Sequence, residues 1–125
     1  MLQSGDAVPH FDVITVDGPG IRYAAIWQRR NLVLVTLGSS EADGGYAAAV
    51  ADNADEFARR TGECVITHDD IAGLPAPGVL VADRWGEVVY AVTGSAVSDL
   101  PSPQQLIEWL EYVEHRCPEC EGEAR

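Results

Sequence analysis

The stretch Leu32-Val33-Leu34-Val35-Thr36-Leu37 narrows what this chain can fold into more than any other. Apart from Thr36 it is continuously apolar and rich in branched side chains, with none of the alternation that a half-solvated strand shows. A strand of this kind is covered on both faces, which calls for helices packed over a sheet. The next thirty residues fit that demand. Gly38 to Gly45 reads as a loop, and Tyr46 to Arg60 as an alanine-rich helix with Ala47, Val50, Ala54, Phe57 and Ala58 on one stripe. Gly62 reads as the stop of that helix, and Cys64–Thr67 as a second short strand. A strand, helix, strand order of this length is a right-handed crossover between parallel strands.

The flanks add antiparallel pairs. Phe11 to Val16 ends in the turn cluster Asp17-Gly18-Pro19-Gly20, and Ile21–Ala24 can return beside it as an N-terminal hairpin. Val79–Ala82 and Glu87–Val92 form a second hairpin around Asp83-Arg84-Trp85-Gly86. Ser102-Pro103 opens a last helix whose buried stripe is Leu106, Ile107, Leu110 and Val113, and Pro118 ends it. The expected fold class is therefore α/β, a mixed sheet flanked by helices. Residues 1–116 form one domain, and 117–125 an acidic tail.

At 125 residues the chain can bury one core. Its net charge of −12 repels phosphate backbones and anionic lipid, which argues against nucleic acid and membrane as partners. No apolar run approaches a membrane span, and the start has neither the basic nor the apolar region of a secretory signal. That reading favours the cytoplasm, where cysteines are thiols more often than disulfides.

Three stretches together carry a family resemblance. Gly5-Asp6-Ala7-Val8-Pro9-His10-Phe11, followed by Asp17-Gly18, is similar to the opening G-D-x-x-P-x-F of redoxins. The apolar strand up to Leu37 resembles the strand that leads into their active-site loop. Pro77-Gly78-Val79-Leu80-Val81-Ala82-Asp83-Arg84-Trp85-Gly86 resembles the stretch that starts at their cis-proline and continues as strand, turn and strand. Over roughly Leu2 to Arg116 the chain thus resembles the redoxin branch of the thioredoxin-like superfamily. That branch holds the peroxiredoxins of the alkyl hydroperoxide reductase and thiol-specific antioxidant type. The resemblance implies a thioredoxin-like fold, thiol redox or antioxidant chemistry as an oxidoreductase, no cofactor, and a protein or small thiol/disulfide as partner. It also implies a site where cis-Pro77 faces the Ser39-Ser40 loop.

The sequence departs from the family where chemistry is concerned. Redoxins place their reactive cysteine just after this strand, at a helix N-terminus that lowers the thiol pKa. Gly38 to Tyr46 contains no cysteine; Ala42 and Gly45 stand where a reductase would carry its pair. A serine hydroxyl is no substitute without an adjacent base.

The remaining sulfur is Cys64, read as a small core residue, and the pair Cys117-Pro118-Glu119-Cys120. Three readings of that pair stay open. It can be a redox dithiol, slow because it follows a helix among glutamates, which favour the neutral thiol. It can contribute to a zinc site, with His115 as a third ligand or with a second tail across a homodimer. Or it carries no chemistry, leaving a non-catalytic module for binding or dimerisation. By helix length the pair should lie at the opposite end of the domain from Pro77. Trp85, at a hairpin tip, is a contact residue exposed for binding. His68, Asp69 and Asp70 are read as a solvated turn that can reach the Pro77 end.

Overall fold

The computed structural model describes residues 1–115. Its centre is a four-stranded sheet in the order β4-β3-β5-β6, built from β3 (Asn31–Thr36), β4 (Gly62–Thr67), β5 (Gly78–Ala82) and β6 (Val88–Thr93). β3 and β4 are parallel, with Asn31 opposite Gly62 and Thr36 opposite Thr67. The β3–β5 and β5–β6 pairs are antiparallel, so Thr36 meets Gly78, which in turn meets Thr93. Every residue of β3 is buried, because both sheet faces are covered. One face packs Val33, Val35, Val79 and Val81 against Phe57, Leu106 and Leu110 from the helices. The other packs Leu32, Leu34 and Leu80 against Val8, Phe11, Val13 and Tyr23.

That second layer is the N-terminal segment around a hairpin, β1 (Asp12–Ile14) with β2 (Gly20–Arg22), which pairs antiparallel in a sheet of its own. Thr67 Oγ1 donates to Ile14 O at 2.7 Å and Val16 N–H to Ile66 O at 2.9 Å, locking the hairpin to the end of β4. The expected mixed sheet with flanking helices and an N-terminal hairpin is the observed fold.

The helical region between β3 and β4 differs from expectation. Helix α1 spans Glu41–Ala51 and α2 spans Ala54–Arg59, so the loop after β3 is short and the single helix is two. The early start follows from a capping box: Ser40 Oγ accepts the Asp43 N–H at 3.1 Å, and Asp43 Oδ2 accepts the Ser40 N–H at 3.0 Å. These bonds satisfy donors that Gly44 and Gly45 alone would not have kept helical. The break follows Asn53, whose amide donates to Ala49 O at 2.9 Å and whose backbone leaves the helical region. The break rotates the stripe, so Val50 and Phe57 are buried while Ala54 and Ala58 are exposed. Gly62 is no helix stop but the first residue of β4. A Cβ there would lie 2.8 Å from Leu110 Cδ1 and 2.9 Å from Phe57 O.

Helix α3 (Pro103–His115) begins where predicted, with Ser102 N–H donating to Gln105 Oε1 at 2.8 Å and Gln105 N–H to Ser102 Oγ at 3.2 Å. Its buried residues are Leu106, Ile107, Leu110 and Val113, the stripe read from sequence. At its far end Glu114 Oε1 accepts from Asn31 Nδ2 at 2.6 Å and Arg84 Nη2 at 2.9 Å. No helix among the described residues is long and apolar enough to cross a membrane.

Candidate functional site

The strand register assembles one pole of the domain. Because Thr36 pairs with both Gly78 and Thr67, the segments after β3, after β4 and before β5 converge there. The Ala76–Pro77 bond is cis, and Pro77 O accepts the Gly94 N–H at 3.1 Å. Backbone crowding makes Gly78 necessary: a Cβ would meet Pro75 O at 2.6 Å and Thr36 Oγ1 at 3.1 Å. Thr36, buried, donates its hydroxyl to Leu74 O at 3.2 Å. A cavity of about 310 Å³ opens beside these residues, lined in part by Thr36, Asp69, Asp70, Leu74, Pro75 and Ala76. His68 reaches the same pole. Its Nδ1 lies 3.1 Å from Leu37 O, and a carbonyl can only accept, so Nδ1 carries the proton and Nε2 stays open.

The helix start at this pole holds no thiol. Ser40 and Asp43 occupy it, with Ser40 Oγ donating to Asp43 Oδ2 at 2.7 Å while accepting the Asp43 N–H. The carboxylate therefore takes the place beside the positive helix end that a thiolate would need. Its surroundings are acidic too. Glu41, Asp43, Asp69 and Asp70 lie on these segments, and Asp99 accepts from Ser95 N–H at 3.0 Å just beyond Gly94. Arg29 and Arg30 precede β3, Arg59 and Arg60 lead into β4, and Arg84 follows β5, which places all five at the other end of the sheet. Among the described residues no arginine lines the cavity at the Pro77 pole, where Asp69 and Asp70 oppose an added anion and Met1 is the terminal residue in the lining.

Cys64 is the sulfur within the described residues that bears a thiol. It sits on β4 opposite Val33 and packs against the core, lining a cavity of about 360 Å³ with Asp17, Glu63 and Ile66. Burial first, then Glu63 and Asp17, pushes its thiol up to about 12, so it is neutral at physiological pH. Cys117 and Cys120 lie outside the described residues. His115 closes α3, its Nδ1 2.9 Å from Glu111 O, at the end where Glu114 meets Arg84 and the start of β3. Among the described residues no group of three or more His, Cys, Asp or Glu could hold a metal ion.

Pro77, Ser39 and Ser40 thus share one pole, and Trp85 does not join them. It tops the β5–β6 turn at the opposite end, 51% exposed, with its carbonyl accepting from Trp27 Nε1 at 3.3 Å. His10 packs edge-on to Tyr23 and Trp27 nearby, at 5.2 and 5.5 Å between ring centres. Tyr23 itself is buried with its hydroxyl unpaired, and burial followed by Asp83 raises that phenol to about 12. One feature is missed by the sequence reading: an aromatic trough between α3 and β6, where Tyr90, Trp109 and Tyr112 meet. The signal for it was the spacing of Trp109 and Tyr112, three apart and off the buried stripe of α3.

With this architecture in view, the fold is plain: it is thioredoxin-like, a mixed four-stranded sheet between helices and an N-terminal hairpin layer. No protein-family model matches the chain, and no curated protein matches it in sequence. Solved structures do match in shape. A reduced 2-Cys peroxiredoxin from Plasmodium vivax superposes with a TM-score of 0.72 at 12% identity, covering 90% of this chain and 96% of that one. AhpC from Mycobacterium tuberculosis gives 0.69 at 12% identity, covering 95% and 98%. A thioredoxin-family thiol:disulfide interchange protein from Chlorobium tepidum gives 0.65 at 11%, covering 91% and 99%. At such identities the likeness establishes the fold, and the chemistry has to be argued from this chain's own residues.

Proposed function

We propose that this is a redoxin-like protein of the thiol redox and antioxidant class whose weak thiol–disulfide exchange runs through Cys117 and Cys120. The carrying observation is the Ser40–Asp43 capping box, which fills the helix start where a redoxin-type thiol would be activated. Cys64, neutral up to about pH 12, is no substitute. The two tail thiols are what remains of the sulfur chemistry, and a protein or small thiol/disulfide would be their exchange partner. In exchange the attacking thiolate takes one sulfur of the partner disulfide and expels the other as thiolate. The second tail thiol then displaces the mixed disulfide, leaving Cys117–Cys120 oxidised and the partner reduced.

The acidic Pro77 pole, where no described residue carries a thiol, favours a second reading, a thioredoxin-fold module that binds or dimerises without catalysis, with zinc on the tail in one form of it. The two readings part in one set of measurements. The first expects a two-electron reduction potential that vanishes in the Cys117→Ser/Cys120→Ser variant, slow alkylation of both thiols at neutral pH, and negligible hydrogen peroxide turnover. Zinc bound in stoichiometric amount with both thiols shielded from labelling would instead support the metal-linked module. Robust peroxide turnover that persists in the double variant would sink both.

A further inference from the structure

Sheet order leaves β6 at an edge. Val88 is paired there, donating to Asp6 O and accepting from Gly5 N–H, both at 2.8 Å. From Val89 to Thr93 no described segment pairs with the outer side of the strand. Alongside that edge runs a trough of about 670 Å³, the largest of the cavities described, between β6 and the second stripe of α3. Tyr90 lies nearly parallel to Trp109, 4.7 Å between ring centres and 21° between planes. Tyr112 meets Trp109 edge-to-face at 5.8 Å and is 53% exposed. Among the described residues Glu108 is the one charged side chain in the lining, beside Ser4, Gln105 and the two tyrosine hydroxyls.

We infer that this trough binds an extended, arginine- or lysine-bearing segment of another protein, which adds as a strand to the free edge of β6 and lays its cation over Tyr112 and Trp109 against Glu108. Each part of the trough answers one part of such a segment. Unpaired backbone groups on β6 supply the ladder, and the aromatic faces and the carboxylate supply the cation site. Charge selects the occupant. The chain carries a net charge of −12 and contains no lysine, and none of its described arginines lines the trough. A second copy would bring more negative charge to a rim that already holds Glu108, whereas a basic strand relieves it. The inference holds whichever reading of the tail cysteines is right, since it is argued from described lining residues alone, none of which carries sulfur.

The test uses the full chain, isotope-labelled, titrated with a short peptide alternating arginine and valine and with its glutamate counterpart. Amide shifts should move along Val89–Thr93 and Gln105–Tyr112 with the arginine peptide, stay put with the glutamate peptide, and weaken with added salt. Tyr112→Ala and Glu108→Gln, both on exposed side chains, should each weaken binding about 3- to 5-fold with the spectrum otherwise intact. Equal binding of the two peptides, shifts confined to another surface, or no binding at all would overturn the inference. So would a stable dimer of this chain that protects the Val89–Thr93 amides, because the edge would then belong to a second copy.

Discussion

Removing the Asp43 carboxylate tests the feature that separates this pole from a working thiol site. In Asp43→Ala the Ser40 N–H and hydroxyl lose their acceptor, at 3.0 and 2.7 Å respectively. An N-terminal cap contributes about 1 kcal/mol, and a carboxylate in the first turn adds about 0.3–1 kcal/mol against the helix dipole. α1 has little else to hold it. Only Val50 among its 11 residues is fully buried, and Gly44 and Gly45 weaken it further. The expected cost is therefore about 1–2 kcal/mol, or a fall in Tm of roughly 3–10 °C for a domain of this size. Thermal and urea unfolding followed by circular dichroism would measure it. Asp43→Asn, which keeps an acceptor and loses the charge, should cost about half as much. Ser39→Ala, at an exposed position outside the box, should stay within about 0.5 kcal/mol of the parent. If Asp43→Ala unfolds with an unchanged midpoint, the box does not set the start of α1, and the account given for the missing loop is wrong.

The core gives further expectations. The Cys64 thiol, raised to about 12, binds a proton in the folded chain that the unfolded chain releases near the ordinary thiol value of 9.0. The unfolded state then holds fewer protons between those values, so stability is full below pH 9 and declines as pH rises towards 12. Cys64→Ala should reduce that decline in denaturation midpoints measured across the window, leaving the part due to Tyr23, raised from 10.0 to about 12, and to Tyr46 and Tyr90, whose phenols burial also raises above 10.0. Native Cys64 should also resist iodoacetamide at neutral pH and react once the chain is unfolded; rapid labelling of the folded chain would contradict its burial. Gly62→Ala should cost about 1–3 kcal/mol, because the added methyl would sit 2.9 Å from the backbone oxygen of Phe57, which cannot turn aside as Leu110 can. A neutral result in chemical denaturation would show that β4 and α2 have room to part.

What the sequence determined by itself was the set of elements and their class. The unbroken apolar run at β3 could only be a strand covered on both faces, and the Ser102-Pro103 start with its four buried positions could only be an amphipathic helix. Both signals are local, since periodicity and capping act within a few residues of chain. The absence of a thiol between Gly38 and Tyr46 was equally legible, being a matter of composition. Where α1 begins was less so, because Ser40-x-x-Asp43 competes with two glycines, and only the closed bonds show which prevailed. The remaining decisions were tertiary. Strand register brought His68 onto the Leu37 carbonyl and put Trp85 at the opposite end from Pro77, although the two are eight residues apart in the sequence. The reason is the length of β5, a five-residue strand that carries the chain across the sheet. Sheet order left β6 on an edge and set it beside the second stripe of α3, making a trough from Tyr90, Trp109 and Tyr112. The spacing of Trp109 and Tyr112 marks only the helical half of such a site, because its other half comes from β6 and the two meet only when the helix packs across the sheet.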